Sequence, residues 1–171
     1  MTMNPYRTHN CGELRAGDIG SQVRIAGWVD TIRDHGGVIF IDLRDHYGIT
    51  QVVINDDEML KGLAKEYVLS VPGTLRKRSE DTINPRIGTG EVELKADKLE
   101  ILSQCVKRLP FDINESTQTR EEVRLRYRFL DLRNPEVRQS IALRAGVIKF
   151  LRQKMEELGF MEIQTDRKSV V

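Results

Sequence analysis

Apolar and polar residues alternate along the first hundred positions of this chain, and the alternation predicts a series of short β-strands. The predicted strands cover residues 22–30, 38–45, 49–55, 68–78 and 91–102. Residues 45–48, Asp-His-Tyr-Gly, form a tight turn that makes a hairpin of the second and third strands. A helix with an acidic start at residues 56–58 and an apolar stripe reaching Tyr67 is predicted before the fourth strand. Three strands, a helix and two more strands is the order of a five-stranded OB barrel, which commonly binds oligonucleotides.

The pattern changes after residue 108. Pro110 and the polar run 114–119 predict a linker, and a basic helix-like segment follows at residues 120–132. Asn134-Pro135-Glu136 is a strong helix start, because it provides an N-cap, a proline at the first helical position and an acid in the first turn. Apolar residues then recur at helical spacing over residues 137–158, before a glycine that is expected to end the helix. Such an apolar stripe needs a partner.

The second predicted strand places an aromatic residue on the face opposite its aliphatic side chains. Phe40 shares that face with Asp42 and Arg44, so stacking on an unpaired base explains it better than burial in the barrel core does. On the next strand, the amide of Gln51 can donate and accept toward the edge of a base, against the alternative of a solvated surface glutamine. Arg33, in the predicted loop between the first two strands, can reach a phosphate or a base edge, or simply be solvated.

Charge and composition restrict the remaining chemistry. With 27 Lys and Arg against 26 Asp and Glu, the net charge of +1 argues against indiscriminate binding of polyanions and leaves room for a local basic patch. Arg44, Arg76 and Arg78 are the candidate phosphate contacts. The two cysteines and three histidines lie in unrelated contexts without metal-ligand or triad spacing, so we predict neither a catalytic residue nor a metal site in this chain.

The expected compartment is the cytoplasm. No apolar run approaches the roughly 20 residues that span a bilayer, and the first residues lack the basic-then-apolar pattern of a secretion signal. No membrane partner is therefore expected.

Several runs of residues together resemble the anticodon-binding domain of bacterial aspartyl-tRNA synthetases. The runs are CGEL at 11–14, GWV at 27–29, RD at 33–34, IFIDLRD at 39–45 and GITQV at 48–52. TGEVEL at 89–94 and RYRFLDLRNPE at 126–136 resemble the fifth strand and the hinge of that family. The resemblance extends from about residue 7 to residue 165, and the RNPE ending of the hinge separates this family from the similar lysyl enzymes.

The resemblance implies a fold, a set of site residues and a reaction. The fold is mainly β with α, consisting of an OB barrel over residues 1–108, a hinge over 109–134 and the incomplete start of a class II α+β catalytic domain over 135–171. Phe40 and Gln51 engage anticodon bases of tRNA(Asp), or also tRNA(Asn), with help from Arg33. The first class II motif forms a homodimer interface, for which Ile148, Met155, Gly159 and Phe160 are candidates. The intact enzyme uses ATP and Mg²⁺ to activate aspartate and then transfers it to tRNA.

The chain also departs from the family pattern. The second and third class II motifs are absent, so this chain alone is expected to be inactive and to need no cofactor. Residues 166–171 are unlike the family and are interpreted as the scar of a truncation or of a change of reading frame. Two other interpretations remain: a free-standing OB protein that binds single-stranded nucleic acid, and a fragment of a lysyl- or asparaginyl-tRNA synthetase.

Overall fold

The first part of the protein is a closed β-barrel. The computed structural model describes residues 4–55 and 62–163. Its strands are β1 (Gln22–Asp34), β2 (Ile39–Arg44), β3 (Ile49–Ile54), β4 (Val68–Lys77), β5 (Val92–Ala96) and β6 (Glu100–Ser103). The sheet order is β1-β2-β3-β5-β4-β6, and β1 also pairs with β4, which closes the first five strands into a barrel. The five-stranded OB barrel predicted from the sequence is therefore confirmed.

The barrel interior follows the period-2 alternation of its strands. Ile39, Ile41 and Leu43 of β2 are almost completely buried and belong to one aliphatic core. β1, β3, β4 and β5 contribute the remaining strand residues of that core, which are Val23, Ile25, Val29, Val52, Ile54, Leu69, Val71, Leu75, Val92 and Leu94. The side chain of Phe40, between two of the core isoleucines, is excluded from this cluster and is only partly buried.

Three sequence predictions about these elements need correction. The predicted last strand is two strands, because residues 97–99 leave the sheet where Asp97 N donates to Pro72 O. β1 continues to Asp34, so Arg33 lies at the end of a strand rather than in a loop. The predicted helix is wrong for residues 62–67, which form turns, and residues 56–61 lie outside the described part of the chain. Gly62 and Glu66 both have positive φ, which an α-helix does not allow.

The second part of the protein is helical and has its own small core. The chain divides into two compact units, Met1–Arg108 and Leu109–Val171. The second contains α1 (Glu121–Arg126), α2 (Arg128–Asp131) and α3 (Pro135–Glu157). Its buried cluster contains Phe111, Ile113 and Leu130.

The start of α3 is as predicted. Asn134 Oδ1 accepts hydrogen bonds from the backbone N–H groups of Glu136 and Val137, and Pro135 occupies the first helical position. The amide nitrogen of Asn134 donates to the carbonyl oxygens of Ile113 and Asn114, which ties the cap to the preceding loop. None of the helices in the described part of the chain combines the length and the apolar content that a membrane span requires.

Candidate nucleic-acid interface

An open pocket of about 500 Å³ lies on the side of the barrel. The end of β1, the outward face of β2 and β3, and the segment that follows β4 form its walls. It is lined by Arg33, His35, Phe40, Gln51, Arg78, Thr82 and Asn84. Three of these residues, Arg33, Phe40 and Gln51, are the ones that the sequence predicted for base recognition.

Strand register explains why the three predicted residues meet. Arg33 of β1 pairs with Phe40 of β2, and Asp42 pairs with Gln51 of β3. Paired residues in adjacent antiparallel strands lie on the same face with their Cβ atoms about 5 Å apart. The pocket face is therefore the face that lies opposite the aliphatic core.

Phe40 presents an aromatic surface to this pocket. Its ring is only partly buried and lies outside the aliphatic core. The ring of His35 approaches it in an edge arrangement, with the centroids 5.5 Å apart and the planes at 78°. A partly exposed ring of this kind is able to stack on an unpaired base.

Gln51 is not the solvated glutamine that the sequence left as an alternative. Only 7% of its surface is exposed, and its Nε2 donates to Glu93 Oε2 over 3.3 Å. Glu93 is itself buried, and its Oε1 accepts a hydrogen bond from Arg76 Nε at 2.7 Å. The amide is therefore held in a defined orientation at the pocket wall.

Arg33 is held by a carboxylate and remains half exposed. Its Nη2 donates to Asp42 Oδ1 at 2.8 Å, and 46% of its side chain is accessible. The second carboxylate oxygen of Asp42 accepts from the hydroxyl of Thr31 at 3.0 Å. Arg33 thus offers further N–H donors at the pocket rim while its position is fixed.

The prediction that Arg44 contacts phosphate is wrong in this structure. Its side chain is 3% exposed, Nε donates to Asp30 Oδ1 at 3.0 Å and Nη2 donates to Glu66 Oε1 at 2.7 Å. The guanidinium also lies 6.0 Å from the centre of the Trp28 ring. A buried cation between two carboxylates is not available to a phosphate, so Arg44 is a structural residue that joins β1, β2 and the 62–67 turn.

The other two predicted phosphate contacts differ from each other. Arg78 is 4% exposed and donates to the carbonyl oxygens of Val92 and Thr82, so it anchors the segment after β4. Burial lowers the pKa of Arg78, and the charges of Glu93 and Asp42 counteract this effect. Arg76 is half exposed, but it forms an ion pair with Glu93.

Sequence reasoning missed two residues of the site, Glu93 and the pocket-lining Asn84. Glu93 reaches the site because β5 pairs with both β3 and β4, an arrangement that is not visible in a local pattern. A Cβ at Gly90 would lie 1.8 Å from the carbonyl oxygen of Asn84, so this glycine permits the close packing of the loop after β4.

The candidate dimer-interface residues lie in the helical unit. Ile148 and Met155 are on α3, where 40% and 46% of their surface is exposed. Gly159 follows the helix with a φ of 87°, and Phe160 is exposed. Within the described ranges, no group of three or more His, Cys, Asp or Glu side chains is arranged to hold a metal ion.

Two family models match the chain, one in each unit. A model described as an OB-fold nucleic acid binding domain matches residues 23–102. A model described as tRNA synthetases class II (D, K and N) matches residues 120–166. The two matches follow the order of the barrel and the helical unit.

Individual proteins resemble the chain over most of its length. The aspartate–tRNA(Asp/Asn) ligase of Rhizobium rhizogenes is 49% identical over 167 residues, which make up 95% of this chain and 28% of that protein. The ligase of the same name from Thermotoga neapolitana is 50% identical over 163 residues, or 93% of this chain and 28% of that protein. The crystal structure of asparaginyl-tRNA synthetase from Pyrococcus horikoshii complexed with asparaginyl-adenylate aligns with a TM-score of 0.75 and 28% identity, covering 92% of this chain and 36% of that one. The chain thus spans 28% of the length of these curated relatives.

Proposed function

The chain belongs to the aspartate–tRNA ligase family of class II tRNA synthetases, and on this basis we propose that its barrel recognises the anticodon loop of tRNA(Asp). A base turned out of the loop stacks on Phe40, while Gln51 and Arg33 contact its edge. The supporting observation is that one pocket collects an accessible aromatic ring, a fixed amide and a fixed guanidinium from three strands. Unpaired loop bases are commonly recognised by such a combination of stacking and edge contacts.

The proposal includes tRNA(Asn) as a second ligand. Relatives with 49% and 50% identity carry tRNA(Asp/Asn) in their names. The anticodons that read aspartate and asparagine codons differ only in their last base, so a pocket that reads another position does not distinguish them. We therefore expect both tRNAs to bind the barrel.

We assign the aminoacylation reaction to the intact protein. That protein uses ATP and Mg²⁺ to activate aspartate and transfers the aspartyl group to tRNA in the cytoplasm. The matched segment is 28% of the length of the relatives, and the residues of this chain are assigned to tRNA recognition rather than to catalysis. The expected result for the 171-residue chain is that aspartate-dependent exchange between ATP and pyrophosphate is undetectable.

A homodimer of the intact protein, formed through α3 and the residues after it, is part of the same proposal. Apolar side chains on α3 are exposed in the described structure, and these include Ile141, Val147, Ile148, Leu151 and Met155. Apolar surface of this extent is usually covered by another surface. The class II match at residues 120–166 covers this helix, and the resemblance to the family implies that the first class II motif forms such an interface.

The test is a binding comparison with three RNAs. Fluorescence anisotropy with the 171-residue chain should give tight binding to a tRNA(Asp) transcript and to tRNA(Asn), and much weaker binding to the same tRNA(Asp) body with an unrelated anticodon. Equal affinity for a homopolymeric single strand would instead support a free-standing single-strand-binding module. Binding that ignores the anticodon would rule out anticodon recognition.

A further inference from the structure

Three polar side chains form a continuous chain of hydrogen bonds beneath the pocket. Arg76 of β4 pairs with Glu93 of β5 in the strand register, and its Nε donates to Glu93 Oε1 at 2.7 Å. Gln51 of β3 lies one residue before Val52, which pairs with Leu94 of the parallel neighbour β5. Its Nε2 donates to the other oxygen of Glu93 at 3.3 Å. The carboxylate therefore bridges a cation and an amide.

The chemistry of a carboxylate determines the direction of the amide. An ionised carboxylate only accepts hydrogen bonds, so the nitrogen of Gln51 must face Glu93. The amide oxygen is then the atom left for the pocket. Gln51 lines the pocket. Within the described part of the chain its Oε1 accepts no hydrogen bond, and this oxygen is not one of the buried polar atoms that lack a partner. Gln51 thus presents an acceptor.

Arg76 is the most exposed of the three hydrogen-bonded side chains. Its side chain is 44% exposed, whereas that of Glu93 is 10% exposed. A mostly buried carboxylate without a cation would be costly to keep ionised. The guanidinium of Arg76 balances the charge of the Glu93 carboxylate, whose other oxygen accepts a hydrogen bond from Gln51. This role differs from the phosphate contact that the sequence suggested for Arg76.

We propose that Glu93, held by Arg76, is a positioning residue that fixes the Gln51 amide with its oxygen toward the pocket, so that the pocket selects a base presenting an N–H donor there. The proposal rests on the proposed anticodon function. Uracil presents N3–H at its pairing edge, whereas cytosine presents an unprotonated N3, which would face the Gln51 oxygen as a second acceptor. The anticodons for aspartate and asparagine share a central uracil, and we assign this base to the pocket.

The test compares two tRNA(Asp) transcripts that differ only in a central U or C, using the 171-residue chain. The wild-type chain should prefer U. Glu93→Gln should lower the ratio of the two affinities by at least about fivefold, the low end of what one base-edge contact contributes to discrimination, because a glutamine at 93 can either donate or accept and so releases the Gln51 amide. Arg76→Met should lower the same ratio.

Lys77→Met is the matched control. Lys77 is the adjacent exposed cation, and it forms no ion pair within the described ranges. Its loss removes the same charge as Arg76→Met, so it should weaken both transcripts equally and leave the ratio unchanged. Melting temperatures measured alongside identify any variant whose fold is damaged, and Arg76→Met changes a half-exposed side chain that leaves the barrel core untouched.

The outcomes separate the two proposals. If the wild-type chain discriminates U from C but Glu93→Gln and Arg76→Met retain the full ratio, the positioning role is wrong while anticodon recognition stands. An equal loss for both transcripts in Arg76→Met would identify Arg76 as a phosphate contact and overturn the inference. If the wild-type chain shows no dependence on the anticodon, the proposed function itself fails.

Discussion

Arg44 and Arg33 provide a matched test of how burial determines the contribution of an ion pair to the stability of the fold. Both arginines bind an aspartate at nearly the same distance, 3.0 Å for Arg44–Asp30 and 2.8 Å for Arg33–Asp42. The side chain of Arg44 is 3% exposed, whereas that of Arg33 is 46% exposed. Arg44 also binds Glu66, whose side chain is 7% exposed. Replacing either arginine with methionine removes one charge and keeps a long apolar stem.

The expected losses of stability differ severalfold. Arg44→Met removes the guanidinium that binds both Asp30 and Glu66, and breaking a buried pair in this way costs about 3–5 kcal/mol. Arg33→Met breaks an exposed pair and should cost less than about 1 kcal/mol. Because small domains have a total stability of about 5–15 kcal/mol, the first loss brings the barrel close to unfolding. Adding Glu66→Gln to Arg44→Met should restore part of the loss, since one of the two negative charges that Arg44 balances disappears.

Urea unfolding followed by tryptophan fluorescence measures this effect in the barrel. Trp28 is the sole tryptophan of the chain and lies in β1, so its emission reports on the barrel unit. Equal losses for the two variants would refute the argument from burial. If Arg44→Met kept its stability but lost affinity for tRNA(Asp), Arg44 would be a phosphate contact after all.

Three further predictions concern the pocket and the helical unit. Phe40→Ala should weaken tRNA(Asp) binding roughly 5- to 150-fold in anisotropy titrations, which is the effect of losing about 1–3 kcal/mol of base stacking. The melting temperature should change little. A large fall in melting temperature would instead make the ring a core residue. Burial raises the pKa of Asp131, but the hydrogen bond from Arg124 and the charges of Arg124 and Arg128 outweigh it, so the folded pKa lies below the ordinary value. The contribution of Asp131 to stability should be complete above the unfolded pKa of about 4 and be lost as the pH falls through the folded pKa. The Asp131→Asn variant should lack this contribution at every pH. Unfolding followed by circular dichroism compares the two proteins. Gly90→Ala should lower the free energy of unfolding by about 1–3 kcal/mol and weaken tRNA binding, because its Cβ would meet a backbone oxygen at 1.8 Å. Gly88→Ala is the control, because the nearest atom to its Cβ would be 3.6 Å away. Equal effects of the two variants would contradict the packing argument.

The barrel was predictable because its inward face depends on a local rule. Successive side chains of a strand alternate between faces whatever the rest of the chain does. Ile39 and Ile41 are therefore in the core and Phe40 is outside it, as the alternation indicated. The helix predicted before β4 did not rest on a local rule of this kind over residues 62–67. Glu66 N donates to Val29 O, and the apolar side chain of Leu63 packs on the core from a turn.

The roles of the charged residues were less predictable, because their partners are distant in sequence. Strand parity correctly placed Arg44 on the face that also carries Phe40, but it did not show that Asp30 and Glu66 enclose the guanidinium. The link between Gln51 and Glu93 depends on the pairing of β3 with β5, and 37 residues lie between the end of β3 at Ile54 and the start of β5 at Val92. Only the closed sheet brings these side chains together.

The ion pairs around the pocket explain how a nearly neutral protein can recognise an anionic loop with selectivity. Arg33, Arg44 and Arg76 are each bound to a carboxylate, and Arg78 is bound to backbone carbonyl oxygens. Long-range attraction to phosphate is therefore small, consistent with a net charge of +1. Free energy of binding must then come from short-range contacts that depend on which base occupies the pocket. The same carboxylates that weaken general affinity for RNA hold the arginine and the amide in the directions that distinguish one base from another.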